Sequence, residues 1–218
     1  MLKKDLVVHS TLANQVYQHL KKRIINQELK PGTRLIVSHI AAELGTSLTP
    51  VREALTSLTK DGLVEMIPHK GACVAKPTRK NFEDLFVVRK VLEGLSVRLA
   101  ASRLTPADIQ TLDELIDRGD SILSAGEAES WIEMDMKLHG FIAQKSGNEL
   151  LIEILSGIQD RIHIFRLLTV GWPDGVKRAS QEHQAIVSAL RRGDVEGAEK
   201  LMMEHIENTL RVGLENEE

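Results

Sequence analysis

Hydrophobic residues recur at helical spacing along most of the chain, but the spacing shortens near residue 63. Before that point, apolar positions three or four residues apart predict helices at residues 12–29, 39–44 and 50–61. The stretch "LVEMIPHKGACVA" then contains two short β-type runs around a turn-forming segment, which predicts a small hairpin. Three helices followed by a hairpin indicate a winged helix-turn-helix unit.

Capping residues predict where the second and third helices begin and end. Ser38 is the expected N-cap of the second helix, and Gly45 is its expected C-terminal stop. Thr49 is expected to cap the third helix, with Pro50 at the first helical position. Alternatively, such a unit is a packing module that does not bind DNA. However, the small hydroxyl side chains and Arg52 at the start of the third helix favour contact with DNA.

From about residue 78 onward the hydrophobic pattern is helical throughout. Six helical segments are separated by glycine, proline, asparagine or aspartate residues. Because short connections favour antiparallel neighbours, this pattern predicts an antiparallel six-helix bundle. The fold is thus predicted to be mainly α. It would contain a winged helix-turn-helix domain at residues 1–76, a linker at 77–80 and an all-helical domain at 81–218.

Charge is distributed unevenly between the two predicted domains. Residues 1–76 carry eleven Lys or Arg against six Asp or Glu, whereas the rest of the chain carries seventeen against twenty-five. The basic excess favours an anionic partner for the first domain, and nucleic acid is the first candidate, although short segments also differ in charge by chance. Only 3% of residues are aromatic, which argues against binding of single strands by stacked aromatic rings.

Cysteine usage and hydropathy bear on the cellular compartment. Cys73 is the single cysteine, so an internal disulfide is excluded and a reducing compartment is favoured. No apolar run approaches the length of a membrane span, and the first ten residues lack the apolar segment of a signal peptide. We therefore expect a cytoplasmic protein that has no membrane partner.

Four titratable side chains fall on apolar helix faces of the second domain. Asp135 and His139 lie four residues apart, so they share one helix face. His183 and His205 are nearly equidistant from the predicted turn at Gly193, so their rings lie at similar height in an antiparallel pair. One carboxylate and three imidazoles suit a first-row divalent cation such as zinc, nickel or manganese. Alternatively, the histidines bond to backbone and Asp135 pairs with an arginine.

The segment "LKPGTRLIVSHIAAELGTSLTPVREALTSLTKDGLVEMIPHKGACVA" resembles the winged-helix domain of the GntR family of bacterial transcription regulators. The rest of the chain resembles the FCD domain of the FadR branch, an all-helical domain for ligand binding and dimerisation. Six helices are closer to the VanR type than to the FadR type. The resemblance implies a homodimer that binds a pseudo-palindromic operator in double-stranded DNA.

The resemblance also assigns functions to individual residues of the first domain. It implies a DNA-binding set consisting of Arg34, Ser47, Thr49, Pro50, Arg52, Lys70 and Gly71. Pro50 would preset the start of the recognition helix. Leu48 stands where the family commonly has arginine, and Val37 stands where an acidic residue is common. The operator sequence therefore cannot be inferred from related proteins.

In the second domain, the resemblance implies metal ligands and an effector site. The metal ligands would be Asp135, His139, His183 and His205. A small organic acid would bind at or beside the metal and alter the affinity for DNA. Arg89 matches an arginine that pairs with the carboxylate of such an acid, and a salt bridge is the alternative role for Arg89.

Two other functions fit parts of the sequence. In a metal-responsive regulator, the ion itself would be the signal. A metallohydrolase would need a general base beside metal-bound water, but the sequence contains no H-E-x-x-H helix, and the basic domain would have no role. We therefore predict a regulator that is not an enzyme.

Overall fold

The structure is a computed structural model that describes residues 11–169 and 173–215, without the side chains of residues 129, 168, 169 and 173. The chain divides between Pro77 and Thr78 into two compact units. Below, the winged-helix unit means the described residues up to Pro77, and the helical unit means those from Thr78 onward. The fold is mainly α, as the sequence predicts.

The winged-helix unit contains three helices and a two-stranded antiparallel sheet. In chain order, its elements are α1 (Leu12–Ile25), α2 (Val37–Glu43), α3 (Leu48–Lys60), β1 (Val64–Ile67) and β2 (Gly71–Val74). The two strands pair from Val64 opposite Val74 to Ile67 opposite Gly71. Arg34 bridges Cys73 on the other edge of β2, so the segment before α2 lies beside the sheet.

The first two helices differ from the prediction at their ends. The first helix ends at Ile25, four residues early, because Gln27 has a φ of 57° and takes the chain out of helical conformation. The second begins at Val37 instead of after Ser38. The predicted side-chain cap is absent, since Ile36 occupies the N-cap position.

The recognition helix also begins before its predicted start. It starts at Leu48, so Pro50 is its third residue and Ser47, not Thr49, is at the N-cap position. The N–H groups of a first helical turn have no partner within the helix. Proline therefore fits at this position without the loss of a hydrogen bond.

The helical unit contains the six predicted helices. They are α4 (Arg79–Ala101), α5 (Pro106–Ser124), α6 (Ala128–Lys145), α7 (Glu149–Thr169), α8 (Pro173–Arg191) and α9 (Val195–Glu215). Thr105 caps α5 with Pro106 at the first position, as predicted. Thr78 caps α4, so Arg79 and Lys80, which were predicted to lie in the linker, belong to a helix.

The core of the helical unit lies between α4, α6, α8 and α9. Buried apolar residues from these helices form one cluster that includes Val97, Ile142, Ile186 and Met202. Phe165 of α7 joins it through a T-shaped contact with Phe82 and a tilted contact with Phe86, both of α4. This apolar packing fixes the helices around a buried group of polar side chains. Each helix in the described residues is too short or too polar to span a lipid bilayer.

Candidate metal centre and DNA-binding surface

Four predicted ligand residues of the helical unit converge on one point. One ligand atom from each lies within 4.8 Å of the ligand atoms of the other three, and all four side chains are buried: Asp135, His139, His183 and His205. Helix α6 supplies two of these residues, and α8 and α9 supply one each.

The α8–α9 turn brings the last two histidines together. Gly193 has a φ of 71°, a conformation that favours glycine, and the chain reverses there. The Nε2 atoms of His183 and His205 lie 3.2 Å apart. Oδ1 of Asp135 lies 3.5 Å from Nε2 of His139 and 3.3 Å from Nε2 of His183. Three ring nitrogens and one carboxylate oxygen therefore face the same small space.

Two further carboxylates contact the outer nitrogens of these rings. Oε2 of Glu182 accepts a hydrogen bond of 2.8 Å from Nδ1 of His205. Oε2 of Glu93 lies 3.1 Å from Nδ1 of His139, an ion-pair distance whose geometry falls short of a well-directed hydrogen bond. A partner at Nδ1 leaves Nε2 as the nitrogen available to a metal ion.

Two of the histidines are held neutral. Burial, reinforced by the nearby His139, lowers the pKa of His205 to about 3. Burial and the neighbouring His205 lower the pKa of His183 well below its usual range. Since only a neutral imidazole can donate a lone pair to a metal, both rings are in the protonation state that a ligand needs at neutral pH.

The carboxylates of the cluster are ionised despite their burial. Burial would raise the pKa of Asp135, but the positive charges of Arg166 and His139 hold it well below its usual range. Burial would likewise raise the pKa of Glu93, yet His139 and Arg89 lower it to about 2. In turn, the two carboxylates raise the pKa of His139 although burial opposes this.

Arg166 of α7 forms an ion pair with Oδ2 of Asp135, and both side chains are buried. Burial lowers the pKa of Arg166 to about 10, so it remains charged at neutral pH. The arginine partner considered for Asp135 thus exists. It uses the oxygen that faces away from the histidines, which leaves Oδ1 for a metal ion.

One atom in the cluster tests whether a cation fits. Within the part of the chain that the structure describes, Nε2 of His139 is buried without a hydrogen-bond partner. A buried polar atom left in this way costs about 1–3 kcal/mol unless something satisfies it. A metal ion at the meeting point of the four ligand atoms would replace the second proton that the two carboxylates favour on His139 and would satisfy this nitrogen, so the residues fit a divalent cation.

A cavity of about 60 Å³ opens beside the cluster. Its walls include Asp135, His205 and two buried arginines, Arg89 and Arg166. Trp131 forms another wall and stacks on His183 with ring centroids 5.7 Å apart. The volume has room for a few water molecules or a small polar ligand.

Arg89 lies at the cavity and also forms a salt bridge, although that bridge is buried and within one helix, not at the surface or between helices. Its side chain is only 1% exposed and lines the cavity. Its Nε atom also lies 3.3 Å from Oε1 of Glu93, one turn further along α4. Arg89 is therefore a cavity residue that forms a salt bridge within its own helix.

The predicted DNA-binding residues lie in three places on the winged-helix unit. The exposed Ser47, Thr49 and Arg52 belong to the start of α3. Lys70 is exposed in the turn between β1 and β2, and the exposed Gly71, with a φ of 80°, is the first residue of β2. Arg34 is exposed beside β2.

Pro50 differs from the rest of this set because its side chain is buried. This burial agrees with the predicted role of presetting the backbone at the helix start. Leu48 is 42% exposed in the same turn, at the position where arginine is common in the resembled family.

Three residues of the metal centre were not found from the sequence: Glu93, Arg166 and Glu182. Glu182 is adjacent to His183 in sequence and contacts His205 on the neighbouring helix. A usable signal existed for Glu93, since Arg89 and Glu93 are oppositely charged residues four positions apart on an otherwise apolar helix face. Arg166 had no comparable signal.

Two family models match the chain. Residues 12–74 match the family described as bacterial regulatory proteins, gntR family, and residues 84–208 match the FCD domain. The second match alone spans more than half of the chain, and the boundary between the two matches falls where the structure divides into two units.

Individual regulators are similar over nearly their full length. The HTH-type transcriptional regulator YdhC of Bacillus subtilis (strain 168) is 28% identical over 210 residues, which cover 93% of this chain and 94% of YdhC. The regulator McbR of Escherichia coli (strain K12) is 26% identical over 209 residues, 94% of this chain and 93% of McbR.

Solved structures share the fold. The structure of E. coli McbR superposes with a TM-score of 0.79 at 25% identity, covering 96% of this chain and all of that one. The metal-free FCD domain of TM0439 superposes with a TM-score of 0.57 at 23% identity, covering 65% of this chain and 97% of that domain. The second similarity shows the fold alone.

Proposed function

The chain belongs to the GntR family of bacterial regulatory proteins and carries an FCD domain, and we propose that a small organic acid bound at or beside a metal ion modulates its affinity for operator DNA. It is a DNA-binding transcriptional regulator and not an enzyme. The observation that carries the proposal is the convergence of four metal-binding side chains beside a cavity lined by two buried arginines.

We assign the metal ion to Asp135, His139, His183 and His205. Three imidazoles and a carboxylate are suitable ligands for zinc, nickel or manganese. A bound divalent cation would supply a buried positive charge that an organic acid can coordinate.

The cavity supports a small organic acid as the effector. Guanidinium groups form strong, directed hydrogen bonds with carboxylates, and Arg89 and Arg166 both line the cavity. The volume of about 60 Å³, together with the charged groups in its walls, favours a small polar acid. Arg89 is the proposed effector-binding residue, because its salt bridge with Glu93 uses Nε, whereas Arg166 uses a terminal guanidinium nitrogen for its ion pair with Asp135.

DNA binding is assigned to the exposed residues of the winged-helix unit. Arg52 and Arg34 suit guanine edges or phosphates, and the hydroxyls of Ser47 and Thr49 suit phosphates near a helix N-terminus. Lys70 and Gly71 form the tip of the wing. We expect the protein to act in the cytoplasm, where operator DNA is accessible.

A homodimer would give the protein the symmetry of a pseudo-palindromic operator. The helical unit has a suitable surface on two helices that contact each other, α4 and α7. We name it the α4–α7 surface; its apolar side chains are 40% to 64% exposed: Val87, Val88, Val91, Leu150 and Ile154. We propose that a second copy of the chain covers it.

Ile154→Glu should convert the dimer to a monomer in sedimentation velocity, and an unchanged sedimentation coefficient would contradict this interface.

The test of the proposed function begins with selection of an operator from random duplexes. Fluorescence anisotropy then compares operator affinity for zinc-loaded protein, chelated protein, and zinc-loaded protein with each of a panel of small carboxylic acids. We expect at least one acid to change affinity about fivefold or more in the presence of zinc only, within the usual range of allosteric coupling. An affinity that follows zinc without any acid would support the metal-responsive alternative instead.

Two arginines of α4 provide a matched pair for this experiment. Arg89→Lys keeps a buried cation but loses the planar fork that pairs with a carboxylate, so the acid response should weaken. Arg98→Lys changes a side chain that is 58% exposed on the same helix and should leave the response unchanged. An equal response in both variants would remove Arg89 from the effector site.

A further inference from the structure

A series of contacts connects the cavity to His139, one of the proposed metal ligands. The connecting residue, Glu93, is not itself one of the four proposed ligands. Arg89 lines the cavity, and its Nε atom lies 3.3 Å from Oε1 of Glu93. The other oxygen of Glu93 lies 3.1 Å from Nδ1 of His139. All three side chains are at most 3% exposed, so water screens these contacts less than it would at the surface.

We propose that Glu93 is a positioning residue that orients His139 for the metal ion and makes metal affinity depend on the state of Arg89. This inference rests on the proposed metal site and adds a route by which an anion in the cavity acts on it. Glu93 is suited to this role because it has one oxygen on each side of the connection.

The orienting effect follows from the two nitrogens of the imidazole ring. With a metal ion bound, a proton on Nδ1 would lie beside the carboxylate of Glu93, 3.1 Å away, and the lone pair would be on Nε2, which faces Asp135 and the other ligands. The carboxylate also makes the ring a stronger electron donor. Outer carboxylates of this kind typically raise metal affinity about 10- to 100-fold.

The dependence on Arg89 follows from competition for one guanidinium group. An acid that binds Arg89 takes over hydrogen bonds that this side chain can offer to Glu93. Glu93 is then free to reorient relative to His139. By linkage, any effect of the acid on metal affinity equals the effect of the metal on acid affinity.

Glu182 is a useful comparison, because it contacts a ligand but lies in a different setting. It accepts from His205 and from Asn208, and its side chain is 21% exposed. It has a neutral amide, instead of a buried arginine, at its second oxygen. The Arg89–Glu93–His139 series is therefore an indirect connection from a buried cation of the cavity to a proposed metal ligand, in addition to the direct ion pair of Arg166 with Asp135.

The experiment measures zinc affinity of the full-length protein by competition with a chromophoric chelator, with no acid present. Glu93→Gln should weaken zinc binding about 10- to 100-fold. Arg89→Gln should change zinc affinity at least about threefold in the wild-type background but less than about twofold when Glu93→Gln is already present. Equal effects of Arg89→Gln in both backgrounds would show direct electrostatics and overturn the link through Glu93. Unchanged zinc affinity in Glu93→Gln would overturn the orienting role.

Two more variants protect this test against simple misfolding. Glu93→Asp keeps the buried charge but shortens the side chain by one methylene, so it should weaken zinc binding about tenfold while the thermal midpoint is largely retained. Ser96→Ala alters another fully buried polar residue of α4 and should leave zinc affinity unchanged. Equal losses of zinc affinity in Glu93→Asp and Ser96→Ala would show that Glu93 acts only through packing.

An NMR measurement distinguishes an orienting role of Glu93 from a role in packing alone. In zinc-loaded wild type, long-range proton–nitrogen correlation spectra should show His139 protonated at Nδ1 with a strongly downfield proton, and Glu93→Gln should shift that proton upfield. Wild-type protein that binds no zinc would refute the proposed metal site itself. Zinc-loaded wild type with an unshifted Nδ1 proton would refute only the role of Glu93.

Discussion

The two candidate sites of this protein place their charged groups in opposite environments. The DNA-binding residues of the winged-helix unit are exposed and stand on an apolar core to which they contribute little. The metal-centre residues of the helical unit are buried within the core itself, where each charge has a counter-charge. The difference teaches that function and stability are separable in the first unit but not in the second.

Replacement of Asp135 should have the largest effect, because it acts on both properties at once. Asp135→Ala removes a proposed ligand and leaves Arg166 buried without its carboxylate. Loss of one partner of a buried ion pair costs about 3–5 kcal/mol. Zinc titration should show no high-affinity site, and circular dichroism should show a markedly lower thermal midpoint. Asp135→Asn, which keeps an acceptor for Arg166, should lose zinc with a smaller thermal penalty.

Arg52→Ala should have the second-largest effect, and only on DNA binding. Its side chain is exposed at the start of α3, so removal leaves no buried group unpaired. A specific arginine contact is worth about 1–3 kcal/mol, which corresponds to roughly a 5- to 150-fold loss of operator affinity in anisotropy titrations. The free energy of unfolding should change by less than about 0.5 kcal/mol. A large change in the thermal midpoint would show that Arg52 also contributes to stability, and would contradict the separation of function from stability in the winged-helix unit.

Leu48→Arg should act in the opposite direction. Leu48 is 42% exposed, so an arginine can replace it without burial of charge. One additional phosphate contact should steepen the dependence of log affinity on log salt by about 0.9 and strengthen binding at low salt. The same titrations at several salt concentrations measure both quantities. A gain confined to one operator sequence would instead indicate a base contact.

Lys70→Ala should have the smallest effect. The wing lysine is exposed, and loss of a single phosphate contact should weaken all duplexes about equally and reduce the salt slope by about 1. Lys200→Ala provides a matched control, because that lysine is 76% exposed on α9 of the other unit. If the control lowered DNA affinity as much as Lys70→Ala, the wing would lose its proposed role.

The comparison also explains how much the sequence could predict. The winged-helix unit is built from short local signals, so its elements were predicted, and only helix ends such as those near Gln27 and Leu48 were misplaced. Those ends depend on backbone conformations that tertiary contacts select. In the helical unit, spacing within α6 and distance from Gly193 correctly brought four residues together.

The outer residues of the metal centre could not be predicted in the same way. Arg166 and Glu182 meet their partners across helix pairs, and the contact depends on how the helices are rotated about their own axes. Periodicity assigns a residue to an apolar or polar face with an uncertainty of tens of degrees. That uncertainty is enough to separate a residue that touches a ligand from one that faces solvent. Of these outer residues, only Glu93 could have been predicted, from its spacing of four residues from Arg89.

The stacking of Trp131 on His183 gives the protein an optical property. Indole emission is sensitive to the electronic state of a ring in parallel contact, and here the two planes differ by only 11°. Ligation or protonation of that imidazole should therefore alter the fluorescence of Trp131. The chain has two tryptophans, so Trp172→Phe would leave Trp131 as the single emitter. Filling of the centre could then be followed in real time, without a dye and without DNA.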